Sequence, residues 1–401
     1  MAGSYTQHAG HLICLFTPTK ELKPMVQKHV DHCLKTQKTL RIFLDVRGSF
    51  INVHSDDGKK LLQKFLKKDN RQYAQKILAF VNNWYSFFQS KSIRAEIILF
   101  GEIGESTYHN ELLPENVMYK GARRKQSIKD TEETVRRDSR IYTNGQLELI
   151  DEIFSTTGTN VCSILMKNLE VDCAPHVIIH HNNDEKPGNY RNLIFSKDKD
   201  LVQTLDENTF QITKKMRKSY VEVSHKEAAP LMFDKFTHQI NHKLLSLALS
   251  LVGDTADSIG GLKGIGPMKI SPFMFEHGEA ILSTEGGDIL KQFFNFIETN
   301  DFANDKNFLA IKRAIGDTKK KDELIRSFFM VDFDQLITHK KYKSVITEEI
   351  LNKYNGIIRD YTPSTDHSYL KGKREFIRGY ITRKTKVTML EQYCYIVENT
   401  Y

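Results

Sequence analysis

Residues 40–48 read Leu40-Arg41-Ile42-Phe43-Leu44-Asp45-Val46-Arg47-Gly48. The run is short, nearly continuous in apolar character and rich in β-forming residues, so it predicts a strand buried on both faces, as in the parallel sheet of an α/β protein. Asp45 ends it with a carboxylate, at the position where such sheets place their ligands. Downstream, Lys59 to Lys91 carries Leu61, Leu62 and Phe65, then Ile77, Phe80 and Val81, at spacings of three and four. This period predicts crossover helices joining two parallel strands. The second strand runs from Arg94 to Phe100 and is followed by Gly101-Glu102. Asn192 to Ser196 reads as a third sheet strand, with Asp198 and Asp200 just beyond it.

The remaining segments attach to this frame. Residues 1–38 hold an apolar patch from His11 to Phe16 and a predicted helix from Lys20 to Thr36, read as an extension packed on the main body. From Ile103 to Tyr142 the chain has little apolar content, and 119–140 hold eight basic residues against four acidic. A polar insertion of that length inside a compact domain points to function rather than structure. In Leu169-Glu170-Val171-Asp172-Cys173-Ala174-Pro175, Pro175 suits the first turn of a helix running through Ile179. A hairpin is predicted from Phe210 to Val223 and an amphipathic helix from Lys235 to Leu251. Helical material then continues to Lys353, with Phe328 to Asp334 as a short apolar interruption. Lys371 to Val387 has seven basic residues and one acidic.

The 401 residues are 40% hydrophobic and 27% charged, which excludes a disordered chain, a collagen and a small disulfide scaffold. That length suits two or three domains, or one α/β body with an appendage. Lys and Arg exceed Asp and Glu by 58 to 50, a net +8 that favours a polyanionic partner only weakly. Cys14, Cys33, Cys162, Cys173 and Cys394 are odd in number and scattered, arguing against a disulfide framework or a thiolate zinc site. No window has the apolar length of a membrane span and no secretion signal is visible, so a reducing cytoplasm is expected.

The acidic residues carry the chemistry. Asp45, Glu102, Glu170, Asp172, Asp198, Asp200, Asp254 and Asp257 all end predicted strands or begin the helices after them. In a parallel sheet they would converge on one edge, where two like charges about 4 Å apart cost about 4 kcal/mol at an effective dielectric of 20. Divalent cations relieve that repulsion, and hard oxygen ligands select Mg²⁺ or Mn²⁺ over zinc. Two such ions clamp the attacking and leaving oxygens of an in-line phosphoryl displacement. The inferred chemistry is phosphodiester hydrolysis.

Gly253-Asp254-Thr-Ala-Asp257-Ser-Ile-Gly-Gly-Leu-Lys263-Gly264-Ile265-Gly266 resembles the helix-hairpin-helix element of the structure-specific 5′ nucleases, the flap endonuclease family. Ser196-Lys-Asp198-Lys-Asp200 resembles that family's second acidic motif, Glu170-Val-Asp172 its Glu-x-Asp-Asp cluster, and Tyr119-Lys120-Gly121-Ala-Arg123-Arg124 its basic arch. The resemblance covers about residues 40–345 and is nearest to bacteriophage flap endonucleases and phage RNase H. It implies a PIN-like α/β fold: a mixed, mainly parallel sheet flanked by helices, with a helical arch and a C-terminal helix-hairpin-helix (H3TH) portion. The domains expected are an extension at 1–38, a nuclease core at 39–234 with its arch at about 103–160, a DNA-binding portion at 235–345, and a C-terminal helix and basic tail at 346–401.

By the same resemblance, Asp45, Glu102, Glu170 and Asp172 would hold one Mg²⁺, and Asp198, Asp200, Asp254 and Asp257 a second, with Mn²⁺ able to substitute. Lys120, Arg123 and Arg124 would polarise the scissile phosphate. Those three with Lys125, Lys263, Gly264, Ile265, Gly266 and Lys269 would contact DNA, and the hairpin carbonyls would hold K⁺. The implied activity is 5′-3′ exonuclease and flap endonuclease, on DNA and on the RNA of RNA–DNA hybrids, in replication. A monomer without membrane attachment is expected, with replication proteins as further partners and, for a phage-encoded chain, a host cytoplasm as its location. Glu102 and Cys173 depart from the family pattern, which has aspartate at both positions. A neutral thiol at Cys173 removes an oxygen ligand, so weaker occupancy of one metal site is expected. The rival readings are a processive exonuclease with little flap activity and a branched-DNA-binding protein with weakened catalysis. His238 and His242, four residues apart, resemble a zinc helix only superficially, because no general-base acid follows the first histidine.

Overall fold

The computed structural model describes residues 12–48, 50–52, 72–104, 144–152, 154, 160–167, 169, 171–182, 188–214, 219–228, 235–253, 259–339 and 342–358. The chain runs β1 (Leu12–Cys14), α1 (Leu22–Thr36), β2 (Thr39–Asp45), β3 (Phe50–Asn52), α2 (Gln72–Gln89), β4 (Ala95–Ile103), a helical segment over 144–152, β5 (Val161–Lys167), α3 (Ala174–His180) and β6 (Tyr190–Phe195). A 3-10 turn (Asp200–Thr204) leads to β7 (Thr209–Lys214) and β8 (Tyr220–Val223). Helices follow: α4 (Leu245–Val252), α5 (Pro267–Leu282), α6 (Ile289–Thr299), α7 (Lys306–Ile315), α8 (Thr318–Val331), α9 (Phe333–Thr338) and α10 (Glu348–Ile358).

Six strands form one sheet in the order β5-β4-β2-β6-β7-β8, parallel except for β8, which pairs antiparallel with β7. This is the mixed, mainly parallel sheet expected from the sequence. Strand alternation divides the central residues between two cores. Ile42, Leu44, Ile97, Leu99, Leu193 and Phe195 face α1, α2 and the 144–152 segment. Phe43, Ile98, Phe100, Ile164 and Ile194 face α3, α10 and the helical portion from α4 to α9. A strand buried on both sides has no room for a solvent face, which is why these segments read as continuous apolar runs.

The second core passes without a break from the sheet into α4–α10, so the helical portion shares its interior with the sheet. The N-terminal segment is likewise built in. Phe16 stacks on Phe195 with ring centroids 5.3 Å apart, and its carbonyl accepts the Trp84 indole N–H at 2.8 Å. The Leu15 carbonyl accepts the Tyr220 hydroxyl. At the start of the sheet, buried Arg41 donates to Glu96 at 3.1 Å and to the Tyr354 hydroxyl at 2.7 Å, tying α10 to β2 and β4.

Several features differ from the sequence reading, beyond β3 and the 144–152 helical segment, which it did not contain. β5 was not anticipated: Cys162, Ser163 and Met166 dilute its β-forming character, and its status comes from burial between β4 and the helices. Glu102 lies inside β4, paired opposite Met166, rather than beyond the strand's end. The amphipathic helix expected over 235–251 shortens to a 3-10 turn at His242–Leu244 and α4, which is buried all round. Residues 237 and 238 instead donate their amides to Ser271 Oγ, so His238 lies outside any helix and apart from His242. Phe328–Val331 forms the last turn of α8, and the break falls at Asp332, which caps α9 by accepting the Gln335 amide at 2.9 Å. Among the described residues no helix is long and apolar enough to cross a membrane.

Asp332 also accepts the Ser246 hydroxyl at 2.6 Å, and burial pushes its carboxyl up to about 6. The folded state therefore holds a proton that the unfolded chain has already lost. The associated stability is present below the ordinary carboxylate range and disappears as pH rises through about 6. Asp332→Asn keeps an acceptor at the cap and removes this slope. Denaturant titrations should show the variant about 2–3 kcal/mol more stable than the wild type at pH 8 and equal to it below about pH 3.

Candidate metal and nucleic-acid site

Parallel pairing puts the C-terminal ends of β2, β4, β5 and β6 on one edge of the sheet. The crossovers from β2 to β4 and from β4 to β5 use helices on the α2 face, whereas β5 returns to β6 through α3 on the opposite face. The winding therefore reverses at β2, between its neighbours β4 and β6. Such a reversal opens a crevice outside the strand ends. Asp45 stands at that point, with Ser196 and Asp198 just beyond β6.

Asp45 is 8% exposed and held from three sides. Its Oδ1 accepts the amides of Arg47 at 2.9 Å and Gly48 at 2.7 Å, and its Oδ2 accepts the Ser196 hydroxyl at 2.7 Å. Position 48 must be glycine, because a Cβ there would collide with the Asp45 carboxylate. Ser196 Oγ in turn accepts the Asp198 amide at 3.0 Å, and Asp198 Oδ1 accepts the Asp200 amide at 3.0 Å. Gln211 on β7 clamps this turn from behind by donating to the carbonyls of Ser196 at 3.1 Å and Asp198 at 2.6 Å. Burial, with the nearby Asp198 charge adding to it, pushes the Asp45 carboxyl above the ordinary range against the pull of its three donors.

Glu102 is half-buried, and the alternation that turns Ile98 and Phe100 toward the α3 face gives Glu102 the same parity. Arg47 pins that corner by donating to the Glu102 carbonyl at 2.8 Å and to Asn144 Oδ1 at 2.6 Å. Asp172 is half-buried in the turn entering α3, and the Ala174 amide closes that turn on the Val171 carbonyl. Cys173 is the N-cap of α3, buried in the apolar core, and makes no side-chain capping bond. Asp45, Glu102, Asp172, Asp198 and Asp200 thus share one end of the sheet. Glu170, Asp254 and Asp257, like Lys120, Arg123, Arg124, Lys125 and the tail from 359, lie outside the described residues.

The hairpin before α5 is described from residue 259 onward, with Gly253 on its near side. Leu262 donates its amide to the Leu251 carbonyl, and Gly253 and Gly261 pack backbone against backbone. Gly264 has φ +85°, the left-handed conformation that favours glycine. Ile265 is buried and donates its amide to Leu262, so its side chain anchors the hairpin and adds no contact surface. Lys263, Gly264 and Lys269 are exposed, and Gly266 caps α5 with Pro267 in its first turn. The Lys269 ammonium donates to the Gly264 carbonyl at 2.7 Å, so one carbonyl expected to face K⁺ already has a cation on it.

Sequence reasoning gave no role to Arg47, Gly48 or Gln211, and took Ser196 only as the first residue of the Asp198-x-Asp200 motif. Gly48 three residues after Asp45 was the one local signal, whereas Gln211 reaches the site only through the β6–β7 pairing.

No family model matches the chain, and no curated protein matches it. Among solved structures the chain is similar to T5 5′-exonuclease with zinc bound, at 18% identity over 78% of this chain and 98% of that one, with a TM-score of 0.49. It is similar to a bacteriophage T5 flap endonuclease with DNA and metal ions, again at 18% identity over 78% and 98%, with a TM-score of 0.48. It is also similar to the catalytic core of Rad2 with DNA substrate, at 16% identity over 92% and 94%, with a TM-score of 0.31.

Because burial penalises the charged form of Asp45, Asp45→Asn should raise the melting temperature in EDTA at pH 8 by about 2–4 °C. The difference should close as pH falls below about 3, where both states of the wild type are protonated. Calorimetry across that range checks the sign.

Proposed function

We propose that the chain is a metal-dependent 5′ nuclease that hydrolyses phosphodiester bonds in 5′-flap, branched or 5′-ended duplex DNA, and in RNA primers of RNA–DNA hybrids, during replication. The observation that carries the reading is the pair Asp45 and Asp198, joined through Ser196 at the winding reversal with Glu102, Asp172 and Asp200 around the same sheet end. Two acidic groups, one of them buried and destabilised in its charged form, suit a cation better than any neutral ligand. The donor set is entirely oxygen, which fits Mg²⁺ or Mn²⁺. When bound, the ions would activate water and neutralise charge developing on the phosphate.

The chain's own groups have separate tasks. Asp45, Glu102 and Asp172 would hold one ion with Glu170, and Asp198 and Asp200 the other with Asp254 and Asp257. Ser196, Gln211 and the amides of Arg47 and Gly48 orient the central carboxylates. Lys120, Arg123 and Arg124 would polarise the phosphate from the arch, assisted by Lys125. Lys263, Gly264, Gly266 and Lys269, at the positive end of the α5 dipole, would grip the duplex backbone. Cys173 favours a second reading, weakened catalysis with retained binding of branched DNA, because α3 begins without a carboxylate there.

Incubation with a 5′-flap substrate and a blunt duplex, in Mg²⁺ or EDTA, separates these readings. Cleavage in Mg²⁺ alone is expected, Asp200→Asn should abolish it with binding retained, and Lys120→Ala should slow it by orders of magnitude. Failure to cut either substrate in Mg²⁺ or Mn²⁺ would sink the enzyme reading. Binding should weaken steeply with salt, as phosphate-dominated recognition requires.

A further inference from the structure

We propose that His176, His181 and Asp334 form a separate metal site, specific for a first-row transition ion such as Zn²⁺, that staples α3 to α9. His176 Nε2 lies 3.0 Å and His181 Nε2 2.9 Å from the same Asp334 Oδ1. All three ligand atoms fall within 4.8 Å of one another, a convergence shared among the described residues only by Glu276, His277 and Asp305. In that second cluster His277 is enclosed by Phe273, Phe296, Phe302 and Phe308, and Asp305 is committed to capping α7.

At the His176 cluster the geometry is close to what an ion needs. Tetrahedral zinc with bonds of about 2.0–2.1 Å holds its ligand atoms about 3.3 Å apart, so the two nitrogen–oxygen separations need to open by a few tenths of an ångström, while the two nitrogens, within 4.8 Å of each other, settle to the same spacing by side-chain rotation. Two imidazoles and one carboxylate form a nitrogen-rich set that selects Zn²⁺, Co²⁺ or Ni²⁺ over Mg²⁺, the reverse of the all-oxygen sheet edge. The imidazoles are positioned in advance. His176 packs between His180 and Phe333, with ring centroids 4.8 Å and 5.6 Å away, and its burial favours the neutral, ligating form. Asp334 sits in the first turn of α9 with its side chain 63% exposed, which leaves a solvent-side position for a water ligand.

One feature sets the affinity. His176 Nδ1 is buried and has no hydrogen-bond partner. With Nε2 on the ion, the ring proton must sit on Nδ1, where no acceptor stabilises it. Missing support of this kind lowers metal affinity about 10–100-fold. A reversible site with about micromolar affinity is therefore expected. Its ligands come from α3, which is entered through Asp172 and Cys173, and from α9 in the helical portion, so occupancy ties the sheet edge to the helices behind it.

The test uses the full chain, stripped of metal and held in excess Mg²⁺, titrated with Co²⁺ and read by the visible absorption of a low-symmetry tetrahedral site. One equivalent should bind, and Zn²⁺ should displace it while raising the melting temperature by several degrees. His181→Gln and Asp334→Asn, both at partly exposed positions, should weaken Co²⁺ binding at least tenfold and remove the Zn²⁺ shift. Asp45→Asn should leave both signals intact, which separates this site from the sheet edge whatever the nuclease assay shows. Absence of the spectrum at about a hundred micromolar Co²⁺, its persistence in His181→Gln, or its loss in Asp45→Asn would each overturn the proposal.

Discussion

The parallel pairing of β2 between β4 and β6 is the constraint on which the rest of the structure depends. Leu40 through Leu44 must be apolar on both sides or paired, and Arg41 meets that demand with Glu96 and Tyr354 among its partners. A buried ion pair is costly unless its hydrogen bonds are complete. The Tyr354 hydroxyl accepts from the guanidinium, and the Tyr190 ring lies 3.5 Å beneath it. The same pairing register sets where the strands stop. Because β2 ends where the winding reverses, its last residue opens on a crevice, and a carboxylate there is held at a ligand position rather than dispersed in solvent.

The charge distribution follows from this frame. Among the described residues two groups of charge stand apart from the paired ones. Carboxylates gather at the sheet edge, where burial, with the Asp198 charge adding to it, raises the Asp45 carboxyl, whereas Lys263 and Lys269 stand exposed on the hairpin. Shared burial couples the two regions, since a single apolar core runs from Phe43 and Phe100 through α4 to α10. The hairpin is positioned by that core through Ile265 and by the glycine contact between residues 253 and 261. Movement of the helical portion against the sheet would have to open the core, and the His176–Asp334 contact lies across that seam.

Much of this was legible locally. The strands at 39–45, 95–103 and 190–195, α3 with Pro175 in its first turn, and the hairpin of β7 and β8 all carry periodic or turn signals that act within a few residues. β5 was not legible, because Val161–Lys167 owes its state to burial rather than to propensity. The helix expected from Lys235 failed for a similar reason: Ser271, distant in sequence, takes the amides of residues 237 and 238. Nor does anything local tell that His181, the residue that closes α3, meets Asp334 across 153 positions of chain.

The sequence by itself determined most of the element types, the acidic ending of β2 and the glycine pattern of the hairpin, because each depends on short-range sterics and hydrophobic period. Tertiary structure alone decided which carboxylates share an edge, that Ser196 bridges Asp45 to the Asp198 turn, that Cys173 caps α3 from within the core, and that two histidines converge on Asp334. Those outcomes depend on strand order and on helix packing across long loops. Local propensity carries no information about either, since the free energy that selects them comes from burial shared among residues remote in the chain.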